Sequence, residues 1–277
     1  MQFAMRNVIS NINQLKPYQK IIALVELEVL VMLLSGIGFY ELHAAPYFNI
    51  GVDLIYWFFY LLGIPQFVLA NAYVALVFDI SLLLCLGFLF FNIENRVLAI
   101  ISFLMLMLFY VTITGYLGHR NFQSGFVLVL VPLMWGRAKS RQFVFEGLRY
   151  WLLLFYCSSA ILKLSSSAIW DLHHFSTILQ NQFLPYYVEN QLGWRTHLNQ
   201  FLLSHPTATM CLFLVGMLME LCTIVGFFTK KFDRYLGITL IVFHVGNWML
   251  MDIAPIGHFS ILFMFFISQK MIFVEDY

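Results

Sequence analysis

The chain has 277 residues, of which 61% are hydrophobic and only 10% are charged, with a formal net charge of +1. Soluble globular proteins carry about 25% charged residues, so this composition excludes a protein that exposes most of its surface to water. The balanced charge argues against a nucleic-acid-binding surface, and the four cysteines form no C-x-x-C pair, which argues against dithiol redox chemistry.

The chain begins with a polar segment and continues as a series of apolar runs. Residues 1–20 carry three basic side chains and lack a small-residue cleavage site, which predicts a cytoplasmic N-terminal tail. Each apolar run that follows predicts a membrane-spanning helix, since about 20 residues cross the hydrocarbon core. The predicted spans are 21–40, 67–91, 97–117, 122–135, 148–166, 208–228, 236–253 and 259–273.

The predicted fold is therefore all-α: a polytopic transmembrane helical bundle of about eight spans, with both termini cytoplasmic. One transmembrane domain covers 21–273, and 274–277 form a short cytoplasmic tail. The apolar run 54–62 stops at Gly63-Ile64-Pro65. Its length favours an interfacial or re-entrant helix over a span.

The basic residues predict the orientation of the bundle. With eight spans, only Arg120 and Arg195 fall in connections on the second side, and Lys163 falls within a span. Because cytoplasmic connections are enriched in Lys and Arg, the first side is predicted to be cytoplasmic. A seven-span arrangement would place two blocks of positive charge on opposite sides. The basic residues on the first side are Arg6, Lys16, Lys20, Arg96, Arg137, Lys139, Arg141, Arg149, Lys230, Lys231, Arg234 and Lys270.

The two longest connections, 41–66 and 167–207, fall on the predicted outer side and are rich in aromatic residues, His and Asn. Connections of this length are usually functional or partly structured, so the chemistry is predicted to face outward. The adjacent His173 and His174 are interpreted as a loop pair. No metal-ligand spacing is found, and no metal site is predicted.

Ionisable residues within the apolar runs need a partner or a purpose, because a charge at mid-bilayer costs roughly 2.5–3.5 kcal/mol on insertion scales. Glu26 and Glu28 lie near the predicted cytoplasmic end of the first span and are interpreted as interfacial charges. Asp79 and Glu220 lie deeper, and each is either protonated or paired with a cation.

Lys163 lies in the outer half of the fifth predicted span and has two interpretations. Its amine either extends to the outer interface or occupies a partly dry pocket as a base. His244 and Asn247, at i and i+3 of the seventh span, share a helix face. They indicate either a ligand site or a hydrogen bond between helices. His119-Arg120-Asn121 occupies a short outer hairpin.

Several of these segments resemble one family. The segment 156–164, Tyr-Cys-Ser-Ser-Ala-Ile-Leu-Lys-Leu, followed by Trp170, resembles the A-G-x-x-K-L…W signature of the horizontally transferred transmembrane (HTTM) family. This family includes the membrane domain of vitamin K-dependent γ-glutamyl carboxylase. Residues 216–221 resemble its G-x-x-x-[DE]-L helix, 243–247 its F-H-x-x-N/M stretch, and 119–121 its H-N turn. Ser159-Ala160 departs from the Ala-Gly pair, and Leu162-Lys163 retains only the second of two tandem lysines.

The resemblance implies an HTTM-like domain and an outward-facing site for a vitamin K-like hydroquinone or other quinol as cofactor. Lys163 would be the catalytic base and His119 a second catalytic residue. The implied localisation is integral to the bacterial inner (cell) membrane, with the lipid bilayer, a membrane quinone and a small secreted peptide as partners. The resemblance also implies five ligand-binding residues: Asn121, Trp170, Glu220, His244 and Asn247.

Three functional hypotheses stay open on the sequence. The first is a quinol-oxidising or carboxylase-like enzyme. The second is a non-enzymatic membrane protein that binds a lipid or quinone, or supports export of, or immunity to, a small peptide. The third is a transporter, which would need paired discontinuous helices at the membrane midplane. No convincing pair is present in the sequence.

Overall fold

A computed structural model of the chain describes residues 15–44, 54–117, 125–135, 137–166, 170–188, 193–251, 253 and 257–266. Every regular element in these residues is helical, which confirms the all-α prediction for them. The helices are α1 (Pro17–Leu34), α2 (Phe39–Leu42), α3 (Leu54–Leu61), α4 (Ile64–Leu69), α5 (Ala72–Phe91), α6 (Arg96–Leu117), α7 (Gly125–Leu128), α8 (Ala138–Ser165), α9 (His174–Val188), α10 (Trp194–Ser204), α11 (Pro206–Leu221), α12 (Val225–Phe228), α13 (Asp233–Met251) and α14 (Phe259–Leu262), with 3-10 turns at Val131–Met134 and Cys222–Ile224.

Four helical segments are long and apolar enough to cross a membrane: Pro17–Leu42, Ala72–Phe91, Arg96–Ile113 and Pro206–Phe228. Bulky apolar side chains also project from these segments. Leu34 is 80% exposed, Phe91 78% and Phe228 85%. Water would oppose an apolar surface of this kind, whereas lipid accommodates it. The chain is therefore an α-helical protein with membrane-spanning character.

Helices α8 and α13 match the fifth and seventh predicted spans in position but carry more charge. Helix α8 has 28 residues and begins ten residues before the predicted span 148–166. Helix α13 has 19 residues and covers most of 236–253. Their charged side chains lower their hydropathy, and several of these side chains are paired within the protein.

The fourth predicted span, 122–135, is not one helix in its described part. It contains the four-residue helix α7 and the 3-10 turn Val131–Met134. Pro132 lies in that turn, and a proline supplies no backbone N–H and clashes with the preceding helical turn. The second predicted span also begins late: Asn71 caps α5 by accepting a hydrogen bond from the backbone N–H of Tyr73 at 2.8 Å, and α4 precedes it as a separate helix.

The long connection 167–207 contains two helices, α9 and α10, that the sequence analysis did not predict. Phe175, Leu179 and Phe183 are buried along α9 at intervals of four residues, which is the period of one helix face. This signal was present in the sequence. The sequence analysis assigned no helix here and expected only a functional or partly structured connection. By contrast, the run 54–62 is a short helix, as predicted, in α3.

The chain forms two compact units. The first contains Met1–Glu146, Ile256–Ile267 and Val274–Tyr277, and the second contains Gly147–Pro255 and Ser268–Phe273. In the second unit, Phe175 and Leu179 of α9 pack with Leu202 of α10 to form a small hydrophobic core, and Phe213 of α11 packs against it.

Two buried carboxylates of the first unit bind backbone N–H groups at helix starts. The Asp79 oxygens accept hydrogen bonds from the N–H groups of Phe39 and Tyr40, at 3.0 and 2.9 Å. Glu28 Oε1 accepts from the N–H of Ser260 at 3.0 Å. These donors lie in the first turns of α2 and α14, where no carbonyl within the helix can accept them. Glu28 is only 8% exposed, so its interpretation as an interfacial charge is wrong.

Replacing Asp79 tests this capping role. Asp79→Ala removes both acceptors, and we expect the free energy of unfolding to fall by about 1–3 kcal/mol because buried N–H groups lose their partners. Asp79→Asn keeps one acceptor oxygen and is expected to lose less. Thermal unfolding of purified protein in detergent measures both. Glu41→Ala, an exposed carboxylate in α2, is the control, and an unchanged melting temperature for Asp79→Ala would contradict the role.

An ion pair of the first unit predicts a pH dependence. Arg141 pairs with Glu94, and the hydrogen bond from Arg141 holds the pKa of Glu94 below its ordinary value of 4.5. A lowered pKa in the folded state gives stability that is present above the ordinary pKa and is lost as pH falls through the lowered one.

The expected effect of this pair is small, under about 1 kcal/mol, because the Glu94 side chain is 68% exposed. We therefore expect acidification below about pH 4.5 to lower the melting temperature of the parent protein slightly more than that of the Glu94→Gln variant. High salt should shrink this difference. Identical pH profiles at low salt would show that the pair contributes nothing to stability.

Candidate functional site

Three polar side chains share one face of α8 in its second half. Tyr156, Ser159 and Lys163 stand at i, i+3 and i+7, which places them in a row along a helix. The residues between them are mostly apolar. This row faces α11 and α13, because its members bond to side chains on those two helices.

Lys163 forms an ion pair with Glu220 of α11. The pair uses Glu220 Oε2, and Glu220 Oε1 accepts a hydrogen bond from the Ser159 hydroxyl at 3.2 Å. The Glu220 side chain is 5% exposed and the Lys163 side chain 33%. Glu220 thus adopts the cation-paired alternative of the two that the sequence left open. Its carboxylate is enclosed by α8 and α11, while the lysine retains an accessible side.

The accessible side of Lys163 lines an open cleft of about 350 Å³. This volume is within the range of about 300–1,000 Å³ typical of small-molecule sites. Its walls combine three apolar side chains with four polar ones. The lining residues are Ser159, Leu162, Lys163 and Ser166 from the end of α8 and just beyond, His174 and Ile178 from α9, and Phe213 from α11.

Tyr156, the first residue of the row, makes a buried polar contact with α13. The Tyr156 hydroxyl and His244 Nε2 of α13 share a hydrogen bond of 2.7 Å, and both residues are at most 5% exposed. Phe243, which precedes His244 on α13, lies next to the lysine, with Lys163 Nζ 5.9 Å from its ring centroid. Helix α13 therefore contacts both Tyr156 and Lys163, through His244 and Phe243 respectively.

Arg149 forms another ion pair on α8, and this pair is fully enclosed. Its guanidinium donates to both oxygens of Asp233, at 2.7 and 2.6 Å, and to the Gly226 carbonyl at 2.9 Å. Both charged side chains are 0% exposed. A Cβ at Gly226 would lie 2.5 Å from the Leu153 side chain, so only glycine permits this close approach. Because Arg149 was predicted only as a cytoplasmic surface charge, its burial is a finding of the structure.

The remaining predicted site residues are distributed differently. Trp170 precedes α9 and is 83% exposed, and Asn247 is half-buried on α13. Neither is among the described residues that line the cleft. His119 and Asn121 lie outside the described residues. The structure thus brings together Lys163 and Glu220 and places His244 next to Tyr156.

The residues of the site that the sequence analysis missed include Tyr156, Ser159 and His174. Tyr156 could have been found from its spacing to Ser159 and Lys163 on one helix face. His174 was interpreted as part of a loop pair, whereas it is the first residue of α9 and lines the cleft. No local signal connects His174 to Lys163, because the contact depends on how α9 packs.

Comparisons of the chain with protein-family models, curated proteins and solved structures find no match.

Proposed function

We propose that this chain is an integral membrane protein of the HTTM type that binds a lipid-soluble quinol in the cleft at Lys163. The pair Lys163–Glu220 handles the hydroxyl proton of that ligand. One observation carries the proposal: Lys163 stands between a buried carboxylate and an open cleft whose exposed surface is largely apolar.

The position of this pair distinguishes it from the other buried charges. Asp79 and Glu28 bind backbone N–H groups, and Arg149 and Asp233 are 0% exposed, so each has a purely structural use. Lys163 lines the cleft, and a third of its side chain is exposed. Since a buried ion pair stabilises a fold little compared with apolar packing, the accessible side of this lysine favours a role in binding.

The composition of the cleft favours an apolar ligand with a polar head. Leu162, Ile178 and Phe213 supply apolar walls, and the Lys163 ammonium group supplies a donor. Leu162 is also 68% exposed on the outside of α8, so the cleft borders a surface suited to lipid. A ligand dissolved in the bilayer would then reach the lysine without crossing water.

The chemistry at the pair is a proton transfer between named atoms. Transfer of a proton from Lys163 Nζ to Glu220 Oε2 leaves a neutral amine and a neutral carboxylic acid. The amine then accepts the proton of a hydroxyl group that the ligand places in the cleft. Ser159 holds Glu220 in position through Oε1. A bound quinol supplies an acidic hydroxyl and a source of electrons; the protein supplies the base and an apolar surround.

The proposed topology has eight spans with both termini in the cytoplasm of a bacterial inner membrane. The distribution of basic residues supports it, and the cleft then lies in the outer half of the membrane. The exposed residues Asn181 of α9 and Lys231, just before α13, test this orientation. In a cysteine-free background, Asn181→Cys should react with an impermeant maleimide added outside intact cells, and Lys231→Cys should not. The reverse pattern would invert the proposed topology.

The binding of duroquinol (tetramethylhydroquinone) to purified protein in lipid nanodiscs tests the function. Anaerobic calorimetry should show saturable binding beyond that of empty nanodiscs, and Lys163→Met should weaken it at least tenfold. Lys231→Met, at an exposed lysine, is the control. Oxygen-dependent consumption of duroquinol that Lys163→Met abolishes supports the enzyme, while binding without consumption supports the non-enzymatic alternative. The absence of binding to the parent protein would overturn the proposal.

A further inference from the structure

We infer that His174 forms a second polar pole of the cleft, so that the site selects a ring with oxygens at two opposite ends. This inference rests on the proposed function and specifies its ligand. It assigns His174 a direct contact with the ligand, which neither its sequence position nor its neighbour His173 suggests.

The cleft presents polar groups on two different helices. Lys163 belongs to the α8 wall, and His174 belongs to the α9 wall. Phe213 and Ile178 supply apolar surface in the same cleft. A ligand that fills such a space places its apolar ring against the apolar residues and its polar atoms at the two walls. A single-headed amphiphile such as a fatty acid satisfies only one of them.

The surroundings of His174 hold its ring in place. The imidazole packs edge-on against Phe213, with ring centroids 6.2 Å apart and an interplanar angle of 67°. Its backbone N–H donates to the Asp171 carbonyl at 3.0 Å, which fixes the start of α9. Ile178 follows one turn later on the same helix face and also lines the cleft. An imidazole has a nitrogen that donates and one that accepts, so it can bond to either a hydroxyl or a carbonyl oxygen.

His173 provides a matched control beside it. His173 is exposed and is not among the described residues that line the cleft. Its backbone N–H donates to the Asp171 carboxylate at 2.9 Å, and a side-chain substitution leaves that bond intact. Any effect specific to position 174 therefore reports on the cleft rather than on the start of α9.

The test compares duroquinol with 2,3,5,6-tetramethylphenol, which has the same methylated ring with one hydroxyl fewer. In nanodiscs, the parent protein and His173→Phe should bind duroquinol about 3- to 10-fold more tightly than the phenol, as expected for one additional hydrogen bond. His174→Phe keeps an aromatic ring against Phe213 and should reduce this ratio to about 1 by weakening only duroquinol. His174→Gln retains donor and acceptor atoms and should keep part of the preference.

Three results would contradict the inference. Equal binding of both ligands by the parent protein would show that the cleft has one pole, while the proposed function would stand. A His174→Phe variant that loses both ligands equally would show that the histidine acts through packing on Phe213. Binding of neither ligand by the parent protein would overturn the proposed function as well. If both assignments are right, Lys163→Met weakens the binding of both ligands, whereas His174→Phe weakens only the binding of duroquinol. This difference distinguishes the two poles.

Discussion

Arg149→Met is expected to lower the free energy of unfolding by about 3–5 kcal/mol, because it removes one partner of a buried ion pair and leaves the other charge buried. The structure makes this pair sensitive: both side chains are 0% exposed, and the guanidinium also satisfies the Gly226 carbonyl at 2.9 Å. In a medium of low dielectric constant, a carboxylate that loses its bidentate guanidinium partner loses much of the compensation for its desolvation.

The measurement is equilibrium unfolding in detergent, followed by a double-mutant cycle. Arg149→Met combined with Asp233→Leu should recover most of the loss, since an apolar pair of similar volume commonly replaces a buried ion pair at little cost. Arg234→Met, at the exposed neighbour, should change stability by less than about 0.5 kcal/mol. A double variant as unstable as Arg149→Met alone would instead assign the effect to the Gly226 carbonyl.

The ion pairs of α8 at Arg149 and Lys163 show how one helix serves two purposes. Arg149 and Lys163 are 14 positions apart, which is about 21 Å along an α-helix. The Arg149 pair is enclosed by α12 and the start of α13, and it holds the chain where Gly226 allows close packing. The Lys163 pair borders a cleft. Burial thus separates a structural charge from a functional candidate more clearly than residue type does.

The positions of the polar residues within apolar runs could be predicted from the sequence. Lys163, Glu220 and His244 were all identified in this way, because a charge or imidazole in a run of apolar residues is expensive and therefore informative. Their partners could not be predicted. Lys163 and Glu220 are separated by 57 positions and lie on helices whose packing no local pattern specifies.

The missed helices α9 and α10 have a physical explanation. Their buried residues recur at helical intervals, but they are short and partly polar, so a search for long apolar runs passes over them. His174 was missed for the same reason: it was assigned to a loop, so its position on a helix face was not considered. The fourth predicted span contains Pro132 and was nevertheless treated as one span, and only the structure shows that its described part divides into a short helix and a 3-10 turn.

Lys163→Met is expected to affect binding and stability together, whereas a second substitution separates the two effects. The single variant leaves Glu220, 5% exposed, without its cation. Its stability loss should fall toward the lower end of about 3–5 kcal/mol, because the Lys163 side of the pair is partly exposed. Ligand affinity should fall about 10- to 100-fold, the value of one hydrogen bond from a charged donor.

Lys163→Met combined with Glu220→Met should restore most of the stability, since it removes both charges, but it should not restore duroquinol binding. If the pair were purely structural, the double variant would recover duroquinol binding together with its free energy of unfolding. The two readouts, the free energy of unfolding and the dissociation constant, are measured on the same nanodisc preparations. Recovery of both would remove Lys163 from the binding site. Recovery of stability alone would leave the lysine as the group that contacts the ligand, with Glu220 as its positioning partner.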